Sequence, residues 1–298
     1  MSWGATSRLQ GYWDIRAACN FIGGGTGSSL LVWAALGLFA GLPYFQAALF
    51  GILFVAAGLF MVWLETGRPW RAFNLFFRPQ TSWMTREGIV ALPLFSLAAV
   101  SALLDAGVLL PTTWPSPVVP AAFTAILGLT FLYCQLRILN SARGLPAWRE
   151  PRVMALVGLS GFTEGLGIYL LLNAILGIVA PAMMAILLAL VIARAVVWRA
   201  YIAALGHSGA PESTMAALGA MRNGFLIAGH ALPATLIVLA YTWPGMTTTF
   251  SALAGVAAAL GGWLLKVVLV TKAAYIQKSE IPKPPVRGRR SSPTGAQS

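Results

Sequence analysis

Eight stretches of mostly apolar residues recur along the chain, each about 20 residues long, the length that crosses the hydrocarbon layer of a bilayer. They fall at about 15–39, 44–64, 86–110, 118–140, 153–177, 180–204, 218–243 and 248–272. Within lipid every backbone N–H and C=O must be satisfied inside the protein, so these stretches are helices and not an open sheet. The composition agrees. The chain is 58% hydrophobic and 9% charged, whereas soluble domains carry about 25% charged residues. Too few charges remain to cover a water-facing surface. The expectation is an all-α integral membrane protein. Residues 1–272 would form one eight-helix transmembrane domain. Residues 273–298, basic and rich in Pro and Ser, would form a disordered tail touching anionic lipid at most. Residues 1–13 lack the apolar segment of a cleaved leader.

The net charge of +12 is distributed by loop. The links near 40–44, 111–117, 178–181 and 244–248 hold no Lys or Arg, whereas 65–87, 141–152, 205–222 and the tail hold most of them. This alternation expects both termini and the three charged loops in the cytoplasm. It also explains the basic balance without nucleic acid. Two stretches, NFIGGGTGSS (20–29) and GLSGFTEGLG (158–167), open spans 1 and 5 with glycine and polar residues. They allow two four-helix halves in parallel repeat. Small residues for close helix approach explain the same feature without a repeat.

Several chemistries are absent. Cys19 and Cys134 form no CxxC or zinc spacing and read as structural thiols. The histidines, His207 in a loop and His230 in span 7, do not suit a haem held between facing helices. GGGTGSS lacks the lysine and spacing of a phosphate-binding loop and sits inside a span, where it reads as a packing surface.

Ionisable residues at membrane depth are costly and point to function or to buried pairs. Asp105 and Arg199 read as boundary groups, and Lys266 as a snorkelling or paired side chain. Glu164 and Arg194 lie deeper and could pair with each other. Residues 65–87, ETGRPWRAFNLFFRPQTSWMTRE, are busier than a connector needs, with four arginines, two tryptophans and a glutamate at each end. Glu65 closes span 2 and Glu87 opens span 3 on the same face at which Asp14, Arg16 and Asn20 enter span 1. Tyr133, Gln135 and Arg137 leave span 4 there too, beside Trp13, Trp70 and Trp83. Carboxylates, amides, arginines and rings together are what a quinone head group needs. Its carbonyls take hydrogen bonds, its ring takes a slot, and its redox step moves two protons. A plain charged interface is the alternative.

GRPWRAFN (67–74) and SWMTRE (82–87) resemble the membrane anchor subunits of dimethyl-sulfoxide-reductase type molybdoenzymes, the DmsC branch of the DmsC/NrfD group. The family's pattern is roughly His-Leu-Gly-x-Pro-x-Arg-Ala-x-Asn, with a Glu opening the next span. Gly67, Pro69, Arg71, Ala72, Asn74 and Glu87 match it, and Glu65 stands where the family has His. RILNSARGLPAWREPR (137–152) resembles the family's segment after span 4, and the helix count agrees. The readable likeness covers residues 10–175. The resemblance implies a haem-free anchor in the bacterial cytoplasmic membrane that exchanges electrons with quinone or quinol. It also implies a ferredoxin-like iron–sulfur subunit and a catalytic subunit carrying molybdopterin as partners, with both cofactors in those partners only. Candidate quinone-binding residues are Glu65, Arg71, Glu87, Asn20, Trp83 and Gln135. Candidate docking residues are Arg68, Trp70, Arg78, Trp148 and Arg149. The cytoplasmic docking face resembles branches that oxidise phenylacetyl-CoA or sulfite. The competing expectations are a secondary transporter built on Glu164 and a purely structural anchor.

Overall fold

The computed structural model describes residues 7–65, 70, 76–108 and 116–277. Among them are eight spans long and apolar enough to cross a membrane. The first four are α1 (Ile15–Phe39), α2 (Phe45–Glu65), α3 (Trp83–Asp105) and α4 (Val118–Asn140). A short α5 (Pro146–Arg149) leads into α6 (Arg152–Ile175) and α7 (Pro181–His207). The seventh span is α8 (Glu212–Leu226), a π-helical turn (Ile227–Ala231) and α9 (Leu232–Thr242). The eighth is α10 (Thr247–Thr271). The chain is thus a multi-pass helical membrane protein.

Local chemistry sets the ends. Asp14 caps α1 by accepting from the Arg16 backbone N–H at 2.7 Å. Ser82 caps α3 by accepting from the Thr85 N–H, so that span opens earlier than its hydropathy implies. It stops at Asp105, where Gly107 takes a positive φ of 67°. Asp105 is the expected boundary residue and has a partner across the fold. Its carboxylate accepts from the N–H groups of Tyr44 (3.1 Å) and Phe45 (2.9 Å), capping α2. Span 7 begins at Glu212 and not at 218, with Pro211 as its N-cap residue. His207 ends α7 and is not a loop residue.

The break in span 7 has a visible cause. Pro233 has no N–H to give the Gly229 carbonyl one turn earlier. Arg194 of α7 supplies that donor at 2.6 Å. A backbone oxygen freed inside lipid is thus satisfied by a side chain.

Packing places α1 and α6 at the centre, buried on almost every side, while the more apolar α2 and α7 face outward. This is the membrane arrangement, with small and polar residues between helices and apolar ones toward lipid. The neighbour pattern repeats. α1 packs on α2, α4 and α6, and α6 packs on α7, α10 and α1. α3 lies on α4 as span 7 lies on α10, and each half's last span touches the other half's first. Two four-helix halves therefore meet along α1 and α6. The two glycine-rich stretches align across that contact, for their seventh residues, Thr26 and Glu164, are hydrogen-bonded to each other at 2.6 Å. GGGTGSS lies within α1 as a packing surface, with Gly23 and Gly27 against the α2 backbone.

Among the described residues one small sheet stands beside the helices. Ser7–Leu9 (β1) pairs antiparallel with Tyr275–Gln277 (β2), Arg8 opposite Ile276. The tail expected to be disordered from residue 273 therefore begins as a strand. Gln10 secures the junction. Its side chain donates to the carbonyls of Trp13 (2.6 Å) and Val270 (3.2 Å) and accepts from the Tyr12 and Trp13 N–H groups. Residues 7–9 and 275–277 thus share one end of the bundle, here the strand face.

Candidate functional site

Two polar clusters lie within the bundle. The outer one is near the strand face, where the first half's four helices converge. Glu87 opens α3, Asn20 lies in the second turn of α1, and Gln135 is near the end of α4; all three are buried. The side-chain amides of Gln135 and Asn20 face the Glu87 carboxyl. Gln135 Nε2 donates to the Asn20 carbonyl at 3.0 Å. Glu87 Oε1 and Asn20 Oδ1 have no hydrogen-bond partner. A buried oxygen left unmatched costs about 1–3 kcal/mol, so each of these two can take a donor.

A crevice opens beside Asn20 of this triad, lined also by Trp13, Val62, Glu65, Met84 and Ile138, with a cavity volume of about 30 Å³. That is room for a water, not for a ring. Glu65, at the end of α2, is half-buried on its wall. Just outside α1, the Asp14 carboxylate pairs with Arg16 at 2.8 Å. That hydrogen-bonded guanidinium holds Asp14 below the usual carboxylate range. Trp83 lies between two guanidinium groups, Arg86 at 4.0 Å and Arg137 at 4.9 Å from its ring centre, with Tyr133 edge-on. Arg86 also donates to the carbonyls of Pro79 and Gln80, tying the loop to α3.

The structure thus brings together Asn20, Glu87 and Gln135, with Glu65 on the crevice wall and Trp83 close by on α3. Arg68 and Arg71 lie outside the described residues. Trp70, Arg78 and Arg149 are exposed and available to a partner. Trp148 is a correction, for it is 2% exposed and cannot present a docking surface. Its ring stacks on Trp13 at 4.8 Å and its Nε1 donates to the Leu269 carbonyl, filling the gap beneath α10.

The inner cluster sits where the halves meet. Lys266 Nζ donates to Glu164 Oε2 at 2.6 Å, both side chains being at most 1% exposed. Thr26 donates to the same oxygen, and Trp263 donates to Thr26. Glu164 therefore pairs with Lys266, not with Arg194 as the sequence suggested, and Lys266 does not snorkel. Gly25 makes room, since a Cβ there would stand 2.5 Å from Lys266 Nζ. Arg194 instead donates to His230 Nε2 (3.2 Å), the Ala258 carbonyl (3.0 Å) and the Gly229 carbonyl. Because Nε2 accepts, the His230 proton sits on Nδ1, which donates to the Phe225 carbonyl at 2.8 Å. Sequence reasoning missed the Lys266 and His230 partnerships. Among the described residues no three His, Cys, Asp or Glu gather as metal ligands.

No family model matches the chain, and no curated protein matches it. The fold and the two clusters are the ground for any functional reading.

Proposed function

We propose that this chain is a haem-free membrane anchor that exchanges electrons and protons with quinone at the outer cluster and holds soluble redox partners on its strand face. One observation carries the reading: Glu87, buried and facing two neutral amides, keeps an unpartnered oxygen, and one of those amides belongs to Asn20, which lines a crevice at the helix ends. A quinol hydroxyl fits that oxygen. On oxidation the quinol loses two protons and two electrons. The Glu87 carboxylate accepts one proton and the Glu65 carboxylate, nearer the mouth, accepts the other, and both pass to water. The electrons leave for an iron–sulfur subunit bound over Trp70, Arg78 and Arg149, and a molybdopterin subunit lies beyond it. Reduction runs the same steps backward. Entry of the ring requires Met84 to swing aside, which its three rotatable bonds allow. The arginine-rich loops support a cytoplasmic strand face, in a bacterial cytoplasmic membrane. Substrates of the phenylacetyl-CoA or sulfite kind fit that orientation.

The test begins with the tagged chain in mild detergent and mass spectrometry of what accompanies it. A cysteine-rich iron–sulfur subunit and a large molybdopterin subunit are expected. In that complex Glu87→Gln should lower quinol-linked turnover by roughly 10²-fold, the scale of one proton-transfer group. Unchanged quinone kinetics would remove Glu87 from the site.

A secondary transporter is the second reading, favoured by the ion pair at the junction of two parallel halves. It requires a chain that purifies alone and loses transport on Glu164→Gln.

A further inference from the structure

Outside the polar clusters a groove of about 570 Å³ lies at the flank of the strand face, where the start of α6 meets the end of α7. Its volume is that of a small-molecule site. Its walls are mixed in charge. Glu150 and Arg152 form an ion pair at 2.7 Å, the Glu150 side chain being 12% exposed and that of Arg152 54%. Across the groove stand His207 and Ser208, and between them Ala200 and Ala203 leave a shallow, exposed track along α7. His207 Nδ1 is engaged with the Ala203 carbonyl at 2.6 Å, which turns Nε2 away from its own helix. No Trp, Tyr or Phe lines the groove.

The geometry points to an aminophospholipid site, and we propose that the groove holds one phosphatidylethanolamine molecule of the surrounding bilayer. Each part of that lipid meets its complement. The primary ammonium meets the Glu150 carboxylate and the phosphate meets the Arg152 guanidinium, so the zwitterion opens the ion pair and replaces both halves of it. One acyl chain runs along the alanine track toward the membrane. The location supplies the occupant, since the groove lies at the ends of two spans, at headgroup level. Charge complementarity selects among lipids. A phosphatidylglycerol head brings no cation for Glu150 and sets its phosphate against that carboxylate. A phosphatidylcholine head cannot donate a hydrogen bond to Glu150, and its quaternary ammonium finds no aromatic face here. The inference is independent of the quinone reading and shares no residue with it.

Native mass spectrometry of the purified full chain, exchanged into detergent doped with one of the three lipids at a time, tests this. The unaltered chain should retain one phosphatidylethanolamine, roughly tenfold or more over the other two, the scale of one charge-assisted hydrogen bond. Glu150→Gln should remove that preference, and Arg152→Ala should lower retention of every lipid. Ala203→Phe changes no charge, and its exposed position leaves folding untouched. It should block the track and abolish retention. Equal retention of all three lipids, stronger retention of phosphatidylglycerol, or full retention by Ala203→Phe would each overturn the proposal.

Discussion

The two polar clusters stand on equivalent helices of a repeated scaffold and solve opposite problems. In the inner cluster Glu164 meets a lysine and a threonine, and Arg194 meets an imidazole and two carbonyls. Its ion pair joins α6 to α10, and Thr26 ties it to α1. In the outer cluster Glu87 meets only neutral amides, one of them on Asn20, which lines a crevice; each of the two acids keeps one oxygen unmatched. A carboxylate closed off by a cation is a fastening. A carboxylate met only by neutral amides, with a neighbour on a crevice wall, is free to handle a proton. Depth alone does not separate function from structure here, because both acids are fully buried. The partners do.

The contrast can be broken or sharpened by substitution. The largest effect is expected at the inner cluster. Lys266→Met strands a carboxylate among apolar neighbours and should cost about 3–5 kcal/mol, read as a fall in melting temperature in detergent. Glu164→Gln combined with Lys266→Met should recover most of the loss. If the single change leaves the melting temperature alone, the pair is no fastening. Next comes Glu87→Gln, with the opposite signature of a melting temperature held or raised while proposed quinone turnover drops by roughly 10²-fold. Loss of folding there would make the two clusters alike. Trp83→Leu removes the ring between Arg86 and Arg137. It should cost about 1 kcal/mol and expose the 78–82 loop to protease. The smallest effect is expected at Asp14. Its carboxyl is held below the usual range by Arg16, so its contribution is present at neutral pH and is lost as pH falls through that lowered value. Melting followed downward from pH 6 should show a slight acid-side decline that Asp14→Asn lacks.

Much of this was readable in advance, for reasons that vary by element. The bounds of α1 and α4 follow from capping and flanking charge, since Asp14 precedes one and Arg137 closes the other. The meeting of Asn20, Glu87 and Gln135 follows from alternating direction alone, because helices that turn back on themselves bring those ends to one face. The pairing of Glu164 with Lys266 was not readable. The two are 102 positions apart, and which faces meet depends on helix rotation that no local pattern records. Trp148 misled because a Pro-x-Trp segment after a span looks like surface, whereas its ring fills a gap beneath α10. The π-helical turn has one local sign, Pro233. Its other half, the donor from Arg194, arrives from a different helix.

The two short strands have a consequence for biosynthesis. β1 is among the first parts of the described chain to leave the ribosome, and β2 follows only after every span has been made. At ordinary elongation rates the interval is tens of seconds. Through all of it the first strand and Gln10 wait for their partners at 270–277. Closure of that latch reports that the eighth helix has arrived, and a chain stalled or cut before residue 275 would keep an unfinished edge that quality-control proteases can recognise.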